Sequence, residues 1–171
     1  MEISQIIKNR RSVRQFQEKE IEEKILDKLI EALIWAPSAG NLQSRKFYFV
    51  FGGETKDRLV KAGMGQNSLS QAPLVVVGCA NQKSASKYGE RGKNVFSICD
   101  VAASIQNMML QAQAEGLGTC WVGAFDENKV SDILNLASDL RPIVICPVGY
   151  PAEEPKAPPR VSKDKAVEFI K

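Results

Sequence analysis

The stretch from Asn94 to Glu115 is the strongest constraint on what this chain can become. Its apolar residues recur at helical spacing almost all the way round the axis: Val95, Ile98, Ala102, Ile105, Met109 and Ala112 on one side, with Val101, Met108 and Leu110 widening the arc. A helix apolar around its girth cannot lie on a surface. It must sit centrally or at a subunit interface, and Ala102-Ala103 allows a neighbour to come close. Gly116 and Gly118 end it. The other elements must cover it. Residues 2–9 form a short helix with Ile3, Ile6 and Ile7 on one face, and residues 19–35 form a second, strongly amphipathic one that stops before Pro37. Residues 54–62 make a third helix, and Asp126 N-caps a fourth through Leu136.

The strands read from β-branched and aromatic runs: 46–51 (KFYFVF), 74–79 (LVVVGC), 119–122 and 142–148 (PIVICPV), with Pro147 predicting a bulge or an edge. Residues 63–68 are a loop or helix start. Residues 81–93 are polar and glycine-containing, the least ordered-looking part of the chain, and suit a mobile segment over a site. After Pro151 the character changes. Pro151, Pro155, Pro158 and Pro159 predict an extended arm over 151–171, with 166–169 as a short strand able to reach another subunit.

Composition narrows the chemistry. With 171 residues, 44% of them apolar, one domain spanning 1–171 is expected. A net charge of +3 is too mild for nucleic acid to be the main partner. There is no histidine, which excludes Ser-His-Asp and Cys-His nucleophilic catalysis and imidazole-ligated metals. Cys79, Cys99, Cys120 and Cys146 are widely spaced and read as ordinary thiols of a reducing compartment. No apolar run reaches membrane-spanning length and no signal peptide opens the chain, so a soluble, cytoplasmic protein is expected. There is no nucleotide loop of the GxGxxG or GxxxxGK[ST] type. Hard chemistry must therefore come from a bound cofactor.

Two stretches could hold one. Arg10-Arg11-Ser12-Val13-Arg14 sets three guanidiniums and a hydroxyl side by side, and planar guanidinium forks match phosphate oxygens. A solvated basic turn is the alternative. Ala36-Pro37-Ser38-Ala39-Gly40-Asn41-Leu42-Gln43 is small and rich in amide and hydroxyl groups, suited to the edge of a flat heteroaromatic ring or to an ordinary helix exit.

Several segments, in order, resemble the flavin mononucleotide (FMN)-dependent nitroreductase family: Arg10 to Phe16, Ala36 to Gln43, Gly65-Gln66 before Ala72-Pro73, Glu115 to Gly123, and Val148-Gly149-Tyr150-Pro151 with Pro158-Pro159-Arg160. The resemblance implies an α+β fold, with a mixed, mostly antiparallel sheet packed by helices. It implies an intertwined homodimer with exchanged C-terminal arms and FMN at the interface. Arg10, Ser12 and Arg160 would hold the phosphate and ribityl end. Arg14 would lie toward the pyrimidine, where a fixed cation stabilises the negative charge of reduced flavin. Arg11 matches the motif, with a solvated side chain as the alternative. Pro37, Ser38, Asn41 and Gln43 would reach the partner's flavin, and Gln66 the ribityl or ring edge. Backbone at Val122 and Gly123 would face the ring and offer an N–H, while Trp121 would belong to the core.

The implied reaction is a two-step hydride transfer from NADH or NADPH to flavin and on to a nitroaromatic or quinone, with no catalytic side chain and no metal. Some members of the family dehalogenate aromatics or cleave flavin, and flavin motifs do not separate these activities. A flavin-binding storage or sensing protein without turnover shares the same grip.

Overall fold

The computed structural model describes residues 2–171. Its elements are α1 (Ile3–Asn9), α2 (Glu23–Ile34), β1 (Arg45–Val50), α3 (Gly53–Ala62), α4 (Ser68–Gln71), β2 (Leu74–Asn81), α5 (Ser97–Ala114), β3 (Gly118–Thr119), α6 (Glu127–Leu134) and β4 (Leu140–Gly149). The sheet order is β1-β2-β4-β3, antiparallel throughout. A parallel bridge from Ser12 to Thr119 makes it mixed. This is an α+β architecture.

Both faces of the sheet are covered, which is why β2 reads as an unbroken apolar run. Leu74, Val76 and Ala80 join Val144, Cys146 and Val148 against α2 (Ile25, Leu29, Leu33) and α5 (Val101, Ile105, Met108). Val75, Val77 and Cys79 point the other way, with Ile145, toward Leu59, Leu69 and Val130 of α3, α4 and α6. At Gly78 an added Cβ would lie 2.9 Å from Val101 Cγ1 and Val144 Cγ1, so the missing side chain lets α5 sit down on the sheet.

Five expectations need correction. The buried stripe of α5 is rotated from the expected one: Ser97, Asp100, Val101, Ser104, Ile105, Met108 and Ala112 face inward, while Val95 is exposed. Residues 81–93 are not loosely structured. They wind through successive short helical turns into a π turn, Gly92–Phe96, that runs straight into α5, and Tyr88 packs edge-on to Phe96 at 5.5 Å. α2 begins at Glu23, because pairing of residues 15–17 with 150–152 keeps the preceding chain extended. Pro147 lies neither at an edge nor at a bulge; the register shift falls between Gly78 and Cys79, opposite Val144 and Pro142. Its missing N–H acts on the other side, where Cys120 N–H donates to Pro147 O at 3.4 Å and receives nothing back. The β3 ladder therefore stops at Thr119 and returns only as a bridge at Val122. Finally, Ala166 closes a helical turn, Lys163–Ala166, and no strand forms over 166–169.

Candidate functional site

The arginine loop is held at both ends and in the middle. Arg10 N–H closes α1 by donating to Ile6 O at 3.0 Å, and Arg11 Nη1 turns back onto Lys8 O (2.5 Å) and Arg10 O (2.9 Å). Arg11 thus caps the helix C-terminus, where carbonyl dipoles favour a cation. Val13 N–H donates to Thr119 O at 2.9 Å, and its side chain is buried against Gly118, where a Cβ would meet Val13 at 2.7 Å. Alternation then turns Ser12 and Arg14 the opposite way from Val13.

They open on a cleft of about 400 Å³ lined by Arg10, Arg11, Ser12, Arg14, Pro155, Lys156, Pro158 and Arg160. Five of those side chains are cationic and none is acidic. The structure therefore brings Arg160 to the arginine loop across almost the whole chain. The arm is registered by backbone contacts: Gln17 N–H to Tyr150 O (2.9 Å), Ala152 N–H to Gln15 O (2.9 Å) and Gln17 Nε2 to Pro151 O (2.8 Å). Glu153 adds a carboxylate, its Oε1 accepting from Arg14 N–H (2.5 Å) and Gln15 N–H (3.2 Å). Sequence reasoning missed both Glu153 and Lys156. Lys156 carried a signal, a cation four positions before Arg160 in the same proline-stiffened arm. Beneath the cleft, burial pushes the Cys120 thiol up, partly offset by Arg14, a hydrogen bond with Ser12, and Arg10. The donor set fits a phosphate monoester: forked guanidiniums, a primary amine and a hydroxyl converge with no carboxylate lining the cleft.

The amide-rich loop is built differently. Arg45 gathers three carbonyls at the end of α2, Pro37 O and Ile34 O at 2.9 Å and Ala36 O at 2.8 Å. Buried Asp100 of α5 accepts from Ala39 N–H (3.0 Å), Ser44 N–H (3.2 Å) and Ser44 Oγ (2.6 Å). Ser38 Oγ accepts from Gln43 N–H at 3.0 Å. Between these anchors Gly40, Asn41 and Gln43 take φ of 55°, 55° and 49°. Left-handed backbone at the two non-glycine residues costs about 1–3 kcal/mol each and persists only where the surroundings impose it. Asp100 and Arg45 supply that constraint, and neither was expected from sequence. The loop lines a shallow pocket of about 260 Å³ with Phe96, Cys99, Asp100 and Ala103. None of those residues lines the arginine cleft, so within one chain Pro37, Ser38, Asn41 and Gln43 stand apart from Arg10, Ser12, Arg14 and Arg160.

Gln66 and the 122–124 segment are brought together. Gln66 Nε2 donates to Gly63 O (3.1 Å) and Ala124 O (3.4 Å). Val122 is buried, and its N–H and C=O exchange hydrogen bonds with Ile145 at 3.0 Å. That pairing consumes the Val122 N–H. The Gly123 N–H, in contrast, has no protein acceptor among the described residues, so it is the free donor of the pair. Trp121 is not a core residue. Strand alternation buries Cys120 and Val122 and leaves the indole 38% exposed beside Gly123. Among the described residues, no group of three or more Cys, Asp or Glu side chains could hold a metal ion, and no helix is long and apolar enough to cross a membrane.

The nitroreductase family profile matches residues 7–79 and 61–150, most of the chain. This chain belongs to the nitroreductase family. A Methanothermobacter thermautotrophicus protein, provisionally named an NADH dehydrogenase/NAD(P)H nitroreductase, is 30% identical over 91% of this chain and 80% of its own length. The NADPH-dependent FMN reductase of Bacillus subtilis is 26% identical over 92% of this chain and 69% of its own. Among solved structures, a nitroreductase-family protein of Clostridium novyi superposes with a TM-score of 0.82 at 28% identity, covering 92% of this chain and 90% of that one.

Proposed function

We propose that this nitroreductase-family chain is an FMN-dependent oxidoreductase that takes electrons from NADH or NADPH and works as a homodimer with FMN at the interface. The observation that carries the reading is the cleft lined by Arg10, Ser12, Arg14, Lys156 and Arg160. It offers a dianionic phosphate charge and hydrogen bonds together, in a chain without histidine. The relatives named as FMN and NAD(P)H reductases support it.

Bound FMN would accept a hydride from the nicotinamide and pass the electrons to a second substrate. The chain's own residues bind and orient. Arg10, Ser12, Lys156 and Arg160 hold the phosphate, and Arg14 stands toward the ribityl and pyrimidine. Gly123 N–H is the donor left free to face the ring, and Gln66 flanks it. Pro37, Ser38, Asn41 and Gln43 complete the site from the partner subunit. Dimerisation is supported by large apolar side chains in water, among them Trp35 (82% exposed), Phe169 (85%) and Ile170 (94%). Such surfaces are favourably buried against a second copy. Nitroaromatics and quinones are the proposed acceptors, taken in turn after the nicotinamide leaves. Protons are drawn from water.

Steady-state kinetics with NADH or NADPH against p-nitrobenzoate, a benzoquinone, a halophenol and free flavin tests this. Parallel double-reciprocal lines with at least one acceptor are expected. Intersecting lines, or no turnover with any acceptor, would refute the two-step scheme.

A further inference from the structure

The long helix carries a charge where its pattern calls for an apolar residue. Asp100 stands on the buried stripe between Ser97 and Val101, is 3% exposed, and lines the pocket of the 37–43 loop and not the arginine cleft. All its observed hydrogen bonds go to one place, the segment from Ala39 to Ser44. Arg45 completes the clamp from the other side through the carbonyls of Ile34, Ala36 and Pro37. Burial pushes the Arg45 guanidinium down, and the Asp100 charge opposes that shift. The loop so held is strained at Asn41 and Gln43, and Gly40 sits where a Cβ would collide with Tyr88 Oη. Yet the Asn41 and Gln43 side chains make no hydrogen bond among the described residues. A loop strained, clamped from two sides and then left with idle amides is preorganised for something outside its own chain.

We propose that Asp100, with Arg45 behind it, is the positioning residue for the ring-binding half of the flavin site: it fixes the 37–43 loop so that the loop's amides and Ser38 meet the flavin held by the partner subunit. This rests on the reading of the chain as an interfacial FMN enzyme. Asp100 touches neither the ring nor the nicotinamide and acts through Ala39 N–H and Ser44. It predicts a division of labour. The arginine cleft recognises the phosphate, and the Asp100 clamp serves the ring, which FMN and riboflavin share.

The test measures dissociation constants for FMN and for riboflavin on the full chain, by quenching of flavin fluorescence, in wild type, D100N, S44A and R160A. Asp100→Asn keeps the shape but puts an amide NH2 where one carboxylate oxygen accepted, so it loses the acceptor for Ala39 N–H or for Ser44. It is expected to weaken FMN and riboflavin alike, by tenfold or more, leaving their ratio as in wild type. It is also expected to shift the visible spectrum of whatever flavin is bound. Arg160→Ala should weaken FMN and leave riboflavin unchanged. Ser44→Ala removes only one of the three bonds and is expected to fold, with a smaller loss in the same direction for both flavins; it decides the matter should D100N fail to fold. A side chain that merely stabilised the fold would lower binding stoichiometry and leave the dissociation constants and spectrum of occupied sites alone. That result, in D100N or S44A, overturns the proposal. Failure of wild type to bind FMN would instead refute the flavin reading beneath it.

Discussion

Gly118→Ala tests how packing under the arginine loop sets the site. In the native structure an added Cβ at residue 118 would stand 2.7 Å from Val13 Cβ and Cγ2 and 2.9 Å from its Cγ1, well inside van der Waals contact. Val13 is 5% exposed, and its N–H is bonded to Thr119, so it cannot simply swing away. Overpacking of this kind costs about 1–3 kcal/mol. Val13→Ala alone removes roughly two buried carbon groups at about 0.8 kcal/mol each, plus a cavity contribution. The double variant removes the two Cγ contacts and keeps the Cβ–Cβ contact at 2.7 Å, so the overpacking is relieved in part. Its cost is expected to fall short of the sum of the singles by about 1 kcal/mol or more, the signature of residues in contact. Urea unfolding at one fixed protomer concentration measures this, since the proposed dimerisation would make stability concentration-dependent. Because Ser12 and Arg14 flank Val13, FMN affinity should drop in G118A and partly recover in the double variant. Additive stability costs, or a G118A variant as stable as wild type, would refute the geometry.

The other expectations are simpler. Arg160→Ala should weaken FMN by roughly 10–100-fold, as for loss of a hydrogen bond to a charged group of about 1.5–3 kcal/mol; fluorescence titration at constant salt checks it. Lys156→Ala should do the same less strongly and flatten the salt dependence of FMN binding, and an unchanged salt slope would remove Lys156 from the grip. Glu153→Ala leaves the peptide N–H groups of Arg14 and Gln15 without their carboxylate, so both flavins should weaken, FMN more than riboflavin, in the same titration. Burial pushes the Cys79 thiol from 9.0 up to about 12. Above pH 9 the unfolded chain therefore loses a proton that the folded chain keeps, and stability falls as pH rises through that window. At about pH 10 this amounts to roughly 1.4 kcal/mol, and Cys79→Ala should show a correspondingly shallower alkaline decline in urea midpoint.

Much of this architecture could be read from periodicity, because both faces of the sheet are buried and each helix has a decided apolar side. The two helix ends marked by chemistry were also legible: Pro37 stops α2, and Asp126 Oδ1 accepts from Lys129 N–H at 3.1 Å to start α6. What sequence could not show were partners brought together by the fold. Glu153 meets Arg14 across 139 positions. Asp100 went unread in the apolar helix, because its partners Ala39 and Ser44 lie 61 and 56 positions away in sequence. Residues 81–93 read as loose because their polarity hid the Tyr88–Phe96 contact, which exists only when the π turn leads into α5. Trp121 read as core by its type, whereas strand alternation set its indole outward. The arginine motif marked residues that the fold gathers, with Arg160, around one cationic cleft. The register of the arm against residues 15–17 and the hold of Asp100 on Ala39 and Ser44 came only from the hydrogen bonds.

The most direct test of the account is anaerobic addition of NADH or NADPH to the FMN-loaded protein while the flavin's visible absorption band is followed. The account predicts that the band bleaches within the catalytic time scale with at least one of the two nucleotides, and returns when a quinone or nitroaromatic is added. Flavin that binds but stays oxidised with both nucleotides would contradict it and leave a cofactor-holding protein without turnover.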